Sequence, residues 1–437
     1  MAELKQLARQ IFQETLAAID IPSTMRRKLR CEGMLLHGGG AKIDLSVFGR
    51  VYIIAIGKAA HAMLEGLRDL LPSAVTFEGI VSAPTPPRKV MRDVTYFVAG
   101  HPVPNEQSWE AAVAILELLG RCDEHTLVFF LLSGGGSALV ELPLDWGQAL
   151  EDVQEVNRAL VSCGAPIDAI NTVRKHISAI KGGRLAKASG RATKVTMAVT
   201  DVPLGKESAL ASGPTVPDPT TISDVRHVVA KYSLRAKLPA ALLRWIDEGK
   251  MPETSKADDG AFLDAHFWLL LGMDDLFHPA HRLAAAAGCV PCCDNTTDDW
   301  QVEKAARYLL QQLEDLRKAN PGRRVAMIAD GEVSSPVAGD GVGGRNSAFV
   351  LACVEKIAGR RIAVLSAGTD GIDGNSPAAG GVADGQSLAR ARALGLDPGE
   401  AFRRSDAYSF FARLDDAIVT GPMGNNLRDL RILIAEP

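Results

Sequence analysis

The chain has 437 residues, of which 47% are hydrophobic and 23% are charged, and its formal net charge is −4. This length exceeds what one ordinary hydrophobic core organises, so two domains are expected. The balanced charge leaves no basic excess of the kind found in nucleic-acid-binding and anionic-membrane proteins, and no apolar run reaches the length of a transmembrane helix. We therefore expect neither a nucleic acid nor a membrane as a partner.

Residues 1–20 space their apolar side chains like an amphipathic helix, at Leu4, Leu7, Ile11 and Leu16. This segment carries charges throughout and lacks the apolar core of a secretory signal, so we expect a cytoplasmic protein. The seven cysteines are scattered and odd in number, which argues against a disulfide framework.

Apolar segments followed by polar or glycine-rich turns recur along the chain. Five of them are predicted to be strands, which end near Ile56, Ser133, Asp201, Asp330 and Asp370. Helices are predicted between them, and four of these span residues 108–119, 172–188, 302–317 and 346–357. Because the apolar runs are continuous rather than alternating, we expect strands buried on both faces of a parallel sheet that is covered by helices. The fold class is therefore α/β.

The predicted domain boundary lies near Tyr232. The segment around it contains helical patterns but no strong strand. The two domains would then span residues 1–232 and 233–437. The final segment, from residue 416 onward, is predicted to add a strand pair that closes the sheet of the second domain.

Polar residues follow the predicted strands at the positions where open α/β sheets bind ligands. These residues are Lys58, Ser133, Gly134, Gly135, Gly136, Ser137, Asp201, Glu332 and Asp370. A structural turn rarely needs three consecutive glycines, so the loop 133–137 favours an anion or a carboxylate held by backbone N–H groups. Lys58 could meet anionic oxygens or lie in solvent, and the pattern does not separate the two.

Acidic and basic residues elsewhere add further candidates, and most of them also have a purely structural interpretation. Asp201 precedes a valine and a proline, where a carboxylate can bind Mg²⁺, accept a proton from a substrate hydroxyl, or bond its own backbone. Asp370 lies in a glycine-rich segment without the spacing of a calcium loop. The basic segment 171–186 begins at Asn171, a candidate helix cap, and includes Lys175. A solvated helix face is the ordinary explanation of its charges.

Arg345 starts a predicted helix after a run of glycines. Gly339, Gly341 and Gly344 formally match the dinucleotide pattern GxGxxG, but no uninterrupted strand precedes them, so we reject a nicotinamide site there. The chain also lacks a GxxxxGK[ST] loop and the protein-kinase loop set. An arginine presented in this way can neutralise charge on a transferring phosphoryl group.

Eight motifs, which follow one another along nearly the whole chain, carry a resemblance to a known family. They are "IGKAA", "LLSGGGSALVELP", "INTVRKHISAIKGGRLA", "TDVP", "ASGPTVPDPTT", "GEVS" with "GGRN", "GTDGIDG" and "GPMGNNLRDLRI". Together they resemble the class of glycerate 2-kinases that carries the MOFRL domain, whose members have often been labelled hydroxypyruvate reductase.

The resemblance implies two α/β/α three-layer domains with the active site in a cleft between them. The first domain would be Rossmann-like, and the second would contain the MOFRL region at about 323–437. It also implies ATP-dependent phosphorylation of D-glycerate at the 2-hydroxyl with Mg²⁺, giving 2-phosphoglycerate. The catalytic lysine and arginine of the family fall on Lys58 and Arg345.

The remaining roles are inferred from position. Lys58 and the amides of Gly134, Gly135 and Gly136 would hold phosphate or the glycerate carboxylate, and Arg345 would stabilise the γ-phosphoryl group. Asp201 and Asp370 are the candidates for Mg²⁺, and Asp201 is also the candidate base. Substrate or phosphate binding is assigned to Ser133, Gly134, Gly135, Gly136, Ser137, Asn171, Lys175 and Glu332.

Some motifs depart from the family pattern, which puts loop details in doubt. The departures are Leu204-Gly205-Lys206-Glu207 after "DVP", Ser376-Pro377 after "GTDGIDG", and the "GPMGNN" segment. Two other functions remain open, namely an NAD(P)H-dependent hydroxypyruvate reductase and a non-catalytic binder of small phosphorylated metabolites. The partners would be D-glycerate and a nucleotide, and the sequence also allows for a homodimer.

Overall fold

The computed structural model describes residues 2–147, 149–200, 202, 205–421, 423–424 and 427–437. The chain forms two compact units. We call Ile21–Leu271 the central unit, and Met1–Asp20 together with Gly272–Pro437 the terminal unit. Within the described ranges, none of the helices combines the length and the apolar character that crossing a membrane requires.

The described strands follow one another along the chain as β1 (Arg30–Glu32), β2 (Leu35–Gly38), β3 (Ala41–Asp44), β4 (Arg50–Ile56), β5 (Glu78–Ala83), β6 (Val94–Val98), β7 (Thr126–Ser133), β8 (Thr193–Val199), β9 (Ala265–Leu271), β10 (Val290–Cys293), β11 (Val325–Asp330), β12 (Ile362–Gly368), β13 (Gly380–Asp384), β14 (Ala417–Ile418) and β15 (Asp429–Ala435).

The described α-helices are α1 (Ala2–Ala18), α2 (Ile21–Lys28), α3 (Ala60–Leu70), α4 (Glu106–Leu119), α5 (Gly136–Leu139), α6 (Leu150–Val161), α7 (Ile167–Ile177), α8 (Arg184–Ala188), α9 (Ile222–Lys231), α10 (Ala240–Asp247), α11 (Asp274–Ala286), α12 (Val302–Ala319), α13 (Arg345–Val354), α14 (Ser387–Ala393), α15 (Pro398–Arg403) and α16 (Ala407–Arg413). Short 3₁₀ turns lie at Leu45–Val47, Glu207–Ser212, Leu234–Ala236 and Gly260–Phe262.

The main sheet of the central unit is parallel throughout, in the order β6-β5-β4-β7-β8-β9. Counted along the chain this is the order 3-2-1-4-5-6 of a doubly wound Rossmann sheet, which reverses between β4 and β7. Both strands are apolar and almost wholly buried, as expected where helices cover both faces. The predicted α/β class is confirmed, and β1, β2 and β3 add a small antiparallel sheet.

The sheet of the terminal unit is mixed, in the order β10-β11-β15-β12-β13-β14. The strand β15 runs antiparallel between β11 and β12, so it lies inside the sheet. Alternate residues of β11 belong to one core with α12 and α13, while α1 and α11 pack against the same sheet. The expectation of a parallel sheet is wrong for this unit, because apolar runs buried on both faces do not reveal strand direction.

The structure divides the chain differently from the predicted boundary near Tyr232. The strand β9 completes the sheet of the central unit by pairing with β8, and Trp245 of α10 shares a core with residues of α6, α7 and α9. Helix α1 lies against α11, β12 and β15, so it belongs to the terminal unit.

Candidate active site

The loops after β4 and β7 meet at the point where the strand order reverses. The backbone N–H of Lys58 donates to the carbonyl of Gly134 at 3.0 Å, and the N–H of Ala59 donates to Ser133 Oγ at 3.0 Å. The backbone of Gly57 has φ +131°, and a Cβ there would lie 2.1 Å from Ser133 Oγ. Glycine is therefore required at this turn, since only it allows the two loops to approach this closely. Lys58, whose side chain is half-buried, and the loop 133–137 are neighbours.

The glycines of the loop 133–137 are surrounded by other loops. A Cβ on Gly135, which has φ +86°, would lie 3.0 Å from the ring of His101 and 3.5 Å from Lys58 Cγ. A Cβ on Gly136 would lie 2.7 Å from Ala211 Cβ. His101 is a neighbour of this loop that the sequence reasoning missed. Its position after β6, at the same edge of the sheet, was the available signal.

A chain of hydrogen bonds links the glycine loop to helix α7. Ser137 Oγ and Ser212 Oγ lie 2.8 Å apart, and Ser212 Oγ donates to Asn171 Oδ1 at 3.0 Å. Ser212 has φ +60° and follows Ala211 at +49°, so two consecutive residues with side chains hold left-handed backbone conformations. Such strain persists only where the surroundings fix it, often at functional sites. The sequence reasoning missed Ser212, although it lies in the motif "ASGPTVPDPTT".

Lys175 is buried against Asp218 and Ser208. Its Nζ lies 3.2 Å from Asp218 Oδ1 and 3.1 Å from Ser208 Oγ. Although burial opposes ionisation of this carboxyl group, Lys175 and the hydrogen bonds from Thr220 hold the pKa of Asp218 below its usual value. The carboxylate of Asp218 thus already balances the positive charge of Lys175.

The expectation that the basic residues of segment 171–186 form a solvated face is wrong. Lys181 is also buried and pairs with Glu141, which accepts a second hydrogen bond from Ser178 at 2.6 Å. The predicted helix 172–188 is broken between α7 and α8 by Gly182 and Gly183, which both have positive φ.

Arg345 of the terminal unit is held by two carboxylates. Its Nε donates to Asp429 Oδ2 at 2.6 Å, and its Nη1 donates to Glu332 Oε2 at 2.7 Å. Burial works against the charged form of Arg345. The carboxylates of Asp429 and Glu332 outweigh this effect and raise the pKa of Arg345 above its usual value. Glu332 is predicted from the sequence to bind substrate, and in the structure it contacts the arginine.

The residue that sequence reasoning missed in this unit is Asp429. It lies at the start of β15, opposite Gly368 at the end of β12. Because β15 is antiparallel to β11 and β12, its first residues reach the edge where the other two strands end. The available signal was a strand, otherwise apolar, that opens with the charged residues Arg428, Asp429 and Arg431.

Asp373 fixes the first turn of α13, from which Arg345 projects. It accepts hydrogen bonds from the backbone N–H groups of Asn346 at 2.9 Å and Ser347 at 2.8 Å. A carboxylate is favoured at a helix N-terminus. Burial nevertheless raises the pKa of Asp373. Asp370, three residues earlier, accepts a hydrogen bond from the N–H of Ile372 at 3.1 Å, a local turn of the kind its sequence allowed.

Asp330 is a buried carboxyl group at the end of β11. Its oxygens accept no hydrogen bond from the described residues, and Arg428 Nη1 lies 3.7 Å from Oδ1. Burial raises the pKa of Asp330 to about 6, against the attraction of Arg428. The guanidinium of Arg428 also contacts Asp298.

The predicted metal residues are Asp201 and Asp370. Asp201 lies outside the described residues. Among those described, no three His, Cys, Asp or Glu side chains form a group suited to a metal ion. A nucleotide-bound Mg²⁺ needs only one or two carboxylates, since phosphate and water supply its other ligands. The carboxylate of Asp370, half-buried at the end of a strand, fits such a role.

Two family models match the chain. A domain of unknown function (DUF4147) matches residues 7–247, and the MOFRL family matches residues 325–429. Among curated relatives, a D-glycerate 2-kinase from Thermotoga maritima is 32% identical and covers 98% of both chains. A glycerate 2-kinase from Pyrococcus horikoshii is also 32% identical, over 90% of this chain and 88% of the relative. A relative from Agrobacterium vitis, 36% identical over 88% of this chain and 99% of its own, carries a provisional hydroxypyruvate reductase label.

Solved structures agree with these relatives. A glycerate kinase from Thermotoga maritima superposes with a TM-score of 0.85 at 31% identity, and the match covers 100% of both chains. A protein from Pyrococcus horikoshii superposes with a TM-score of 0.79 at 30% identity, over 99% of this chain and 98% of the other. The family resemblance read from the motifs is confirmed, and the chain belongs to the glycerate 2-kinase family that carries the MOFRL domain.

Proposed function

We propose that the protein transfers the γ-phosphoryl group of ATP to the 2-hydroxyl of D-glycerate, giving 2-phosphoglycerate and ADP. The observation that carries this proposal is the full-length similarity to a D-glycerate 2-kinase, at 32% identity over 98% of both chains. The loops of the central unit support it, because Lys58 and the glycine loop 133–137 adjoin at the strand-order reversal. Anionic ligands bind at that place in doubly wound sheets.

The roles of the charged residues follow from the needs of phosphoryl transfer. The reaction asks mainly for positioned groups that stabilise spreading negative charge. Lys58 and the amides of Gly134, Gly135 and Gly136 hold phosphate or carboxylate oxygens, and Arg345 stabilises the transferring group. The carboxylates on Arg345 keep its guanidinium oriented, so little reorganisation is needed during the reaction. That Lys58 and Arg345 act on the same phosphoryl group stays a prediction.

Mg²⁺ would supply charge neutralisation of the phosphate oxygens when it is bound. Asp370 is the described candidate to hold it, and Asp201 remains a prediction from the sequence. A base of low strength suffices for the substrate hydroxyl, because a loose transition state develops little charge on the attacking oxygen. The cytoplasmic location and the homodimer also remain predictions.

The reductase alternative finds little support in the geometry. A dinucleotide fingerprint lies between a strand and the helix that follows it. Here β11 ends at Asp330, and the glycines 339, 341 and 344 come only after a long irregular segment. Arg345 then begins α13.

Two assays on the purified protein separate these functions. The first follows ADP release with ATP and Mg²⁺, with and without D-glycerate. The second follows NADH and NADPH absorbance with hydroxypyruvate. We expect ADP release that depends on D-glycerate and no nicotinamide oxidation. Nicotinamide oxidation without ADP release would establish the reductase instead, and ligand-induced thermal shifts without either turnover would indicate a non-catalytic binder.

A further inference from the structure

A cavity of about 550 Å³ lies within the central unit, beside the glycine loop but separate from it. Its walls come from the first half of α7, the segment 205–209 and helix α9 with the turn after it. The residues that matter for its chemistry are Asn171, Lys175, Ser208, Pro219, Val228 and Tyr232. This volume is within the range of small-molecule sites, which hold most of a ligand's surface.

The lining combines a buried polar floor with walls that carry apolar side chains as well as exposed charged ones. Lys175 is only 4% exposed and is fixed by Asp218 and Ser208, so the floor is rigid and close to neutral. Val228 and the half-buried ring of Tyr232 contribute apolar and aromatic surface. Such a lining suits a flat heterocycle with polar edges, because the ring face finds stacking surface while its heteroatoms find hydrogen-bonding groups.

Asn171 connects this cavity with the glycine loop. It lines the cavity, and its Oδ1 accepts the hydrogen bond from Ser212, which in turn contacts Ser137. A ligand with its ring in the cavity could therefore extend a phosphate chain toward the loop. The cavity wall also carries charges of both signs: Lys206 pairs with Asp168 at 3.0 Å, and Lys231 lies on the same helix as Asp224.

Size decides between the two substrates of the proposed reaction. A three-carbon acid would leave most of this cavity as open space, and Lys175, the buried cation of the floor, already pairs with Asp218. A nucleoside brings a bicyclic base and a sugar of matching extent. We infer that this cavity holds the adenosine half of ATP, with Tyr232 packed against the base. The inference rests on the proposed function, since it assigns one of that reaction's substrates to a place in the fold.

Hydrogen exchange of the whole wild-type protein tests the assignment without using turnover. Samples are compared alone, with ADP, and with D-glycerate. We expect ADP to slow exchange in the segment 205–209 and in α9 (Ile222–Lys231), and D-glycerate to leave both unchanged. Protection of these segments by D-glycerate, or by neither ligand, would overturn the inference.

Binding to variants provides the second measurement. Titration calorimetry with ADP is carried out on Tyr232→Ala and on Lys231→Glu, with Lys237→Glu as the matched control. Lys237 is an exposed lysine of the same region that does not line the cavity. Loss of a stacked aromatic should raise the dissociation constant for ADP about tenfold or more, and charge reversal at Lys231 should also raise it. The control should bind like the wild type.

The outcomes separate this inference from the function on which it rests. If the wild-type protein phosphorylates D-glycerate while Tyr232→Ala remains folded and binds ADP as tightly as the wild type, the inference fails alone. If the wild type binds ADP in the cavity but does not release ADP with D-glycerate, the proposed function fails and the nucleoside site stands. A Tyr232→Ala protein that does not fold leaves the decision to Lys231→Glu and to hydrogen exchange.

Discussion

Two charged side chains of the candidate site, Arg345 and Lys175, are held by partner groups. Arg345 donates hydrogen bonds to Asp429 and Glu332, and Lys175 donates them to Asp218 and Ser208. A buried charge without such partners would be costly, and the partners also fix the direction of the charged group. A fixed donor is what a charged transition state requires.

Removing either proposed phosphoryl-binding cation tests whether the transition state needs that fixed charged donor. We expect Lys58→Ala and Arg345→Ala each to lower kcat by about 10² to 10³, because each deletes one charged donor. Melting temperatures should show that both variants still fold. Lys42→Ala and Arg361→Ala serve as controls, since both residues are exposed and lie away from the ligand-binding edges. Near-normal turnover in Lys58→Ala or Arg345→Ala would remove that residue from the mechanism.

Asp330 predicts a pH dependence of stability. Its pKa is raised from 3.8 to about 6, so the native state binds this proton more tightly than the unfolded chain does. The contribution of Asp330 to native stability should therefore fall by about 3 kcal/mol as the pH rises from about 4 to about 6. Asp330→Asn should remove that loss and be the more stable protein at pH 7.

Urea unfolding of the wild type and Asp330→Asn across pH 4 to 8 measures the difference between the two free energies of unfolding. Asp340→Asn, at an exposed position, controls for the removal of one carboxyl group. If the free energies of unfolding of the wild type and Asp330→Asn differ by the same amount at every pH in this range, burial does not raise the pKa of Asp330.

At the scale of elements, the contact between the β4 and β7 loops depends on a single glycine. A Cβ on Gly57 would meet Ser133 Oγ at 2.1 Å and the Ser133 carbonyl oxygen at 2.7 Å, at a backbone φ of +131°. We expect Gly57→Ala to lower the free energy of unfolding by more than about 1 kcal/mol and to reduce activity, because both loops must separate.

Gly49 offers the matched control, since a Cβ there has nothing within 4 Å and it precedes the same strand. Chemical denaturation and kinetics on Gly57→Ala and Gly49→Ala should differ clearly. Equal stability and activity in the two variants would mean that the loops adapt without cost.

Elements with strong local signals were predictable, and those that depend on partners were not. The strands around Ile56, Ser133 and Asp330 carry long apolar runs, and the helix predicted at 108–119 exists as α4. Its start differs, because Asn105 caps it in a capping box with Ser108. The inward turn of Lys181 and the antiparallel direction of β15 have no local signal, since both depend on what the chain meets elsewhere.

The residues of the candidate site also fall into those that the sequence predicts and those that only the structure reveals. Lys58, the glycine loop and Arg345 could be chosen from the ends of strands and helices and from the family motifs. His101, Ser212 and Asp429 could not, because their importance lies in contacts with those residues. A single sequence shows which residues can do chemistry, and the topology shows which of them are neighbours.

At the scale of the whole molecule, the division into units predicts which fragments fold. The central unit is one continuous segment, Ile21–Leu271, whereas the terminal unit needs both chain ends. We expect a fragment of residues 21–271 to unfold cooperatively. A fragment of residues 21–232 should not, because it lacks β9 and the core residues Leu242, Trp245 and Ile246.

Circular dichroism during thermal unfolding compares the two fragments. A sigmoidal transition in the longer fragment alone would support the boundary at Leu271. A cooperative transition in residues 21–232 would instead support a boundary near Tyr232.

The central claim is that one enzyme moves a phosphoryl group to the 2-hydroxyl of D-glycerate. The most direct measurement couples the reaction to enolase, which accepts 2-phosphoglycerate, with and without phosphoglycerate mutase. The account predicts full signal without the mutase, dependent on both ATP and D-glycerate. Signal that appears only when the mutase is added would show phosphorylation at the 3-hydroxyl and contradict the claim, as would no product under either condition.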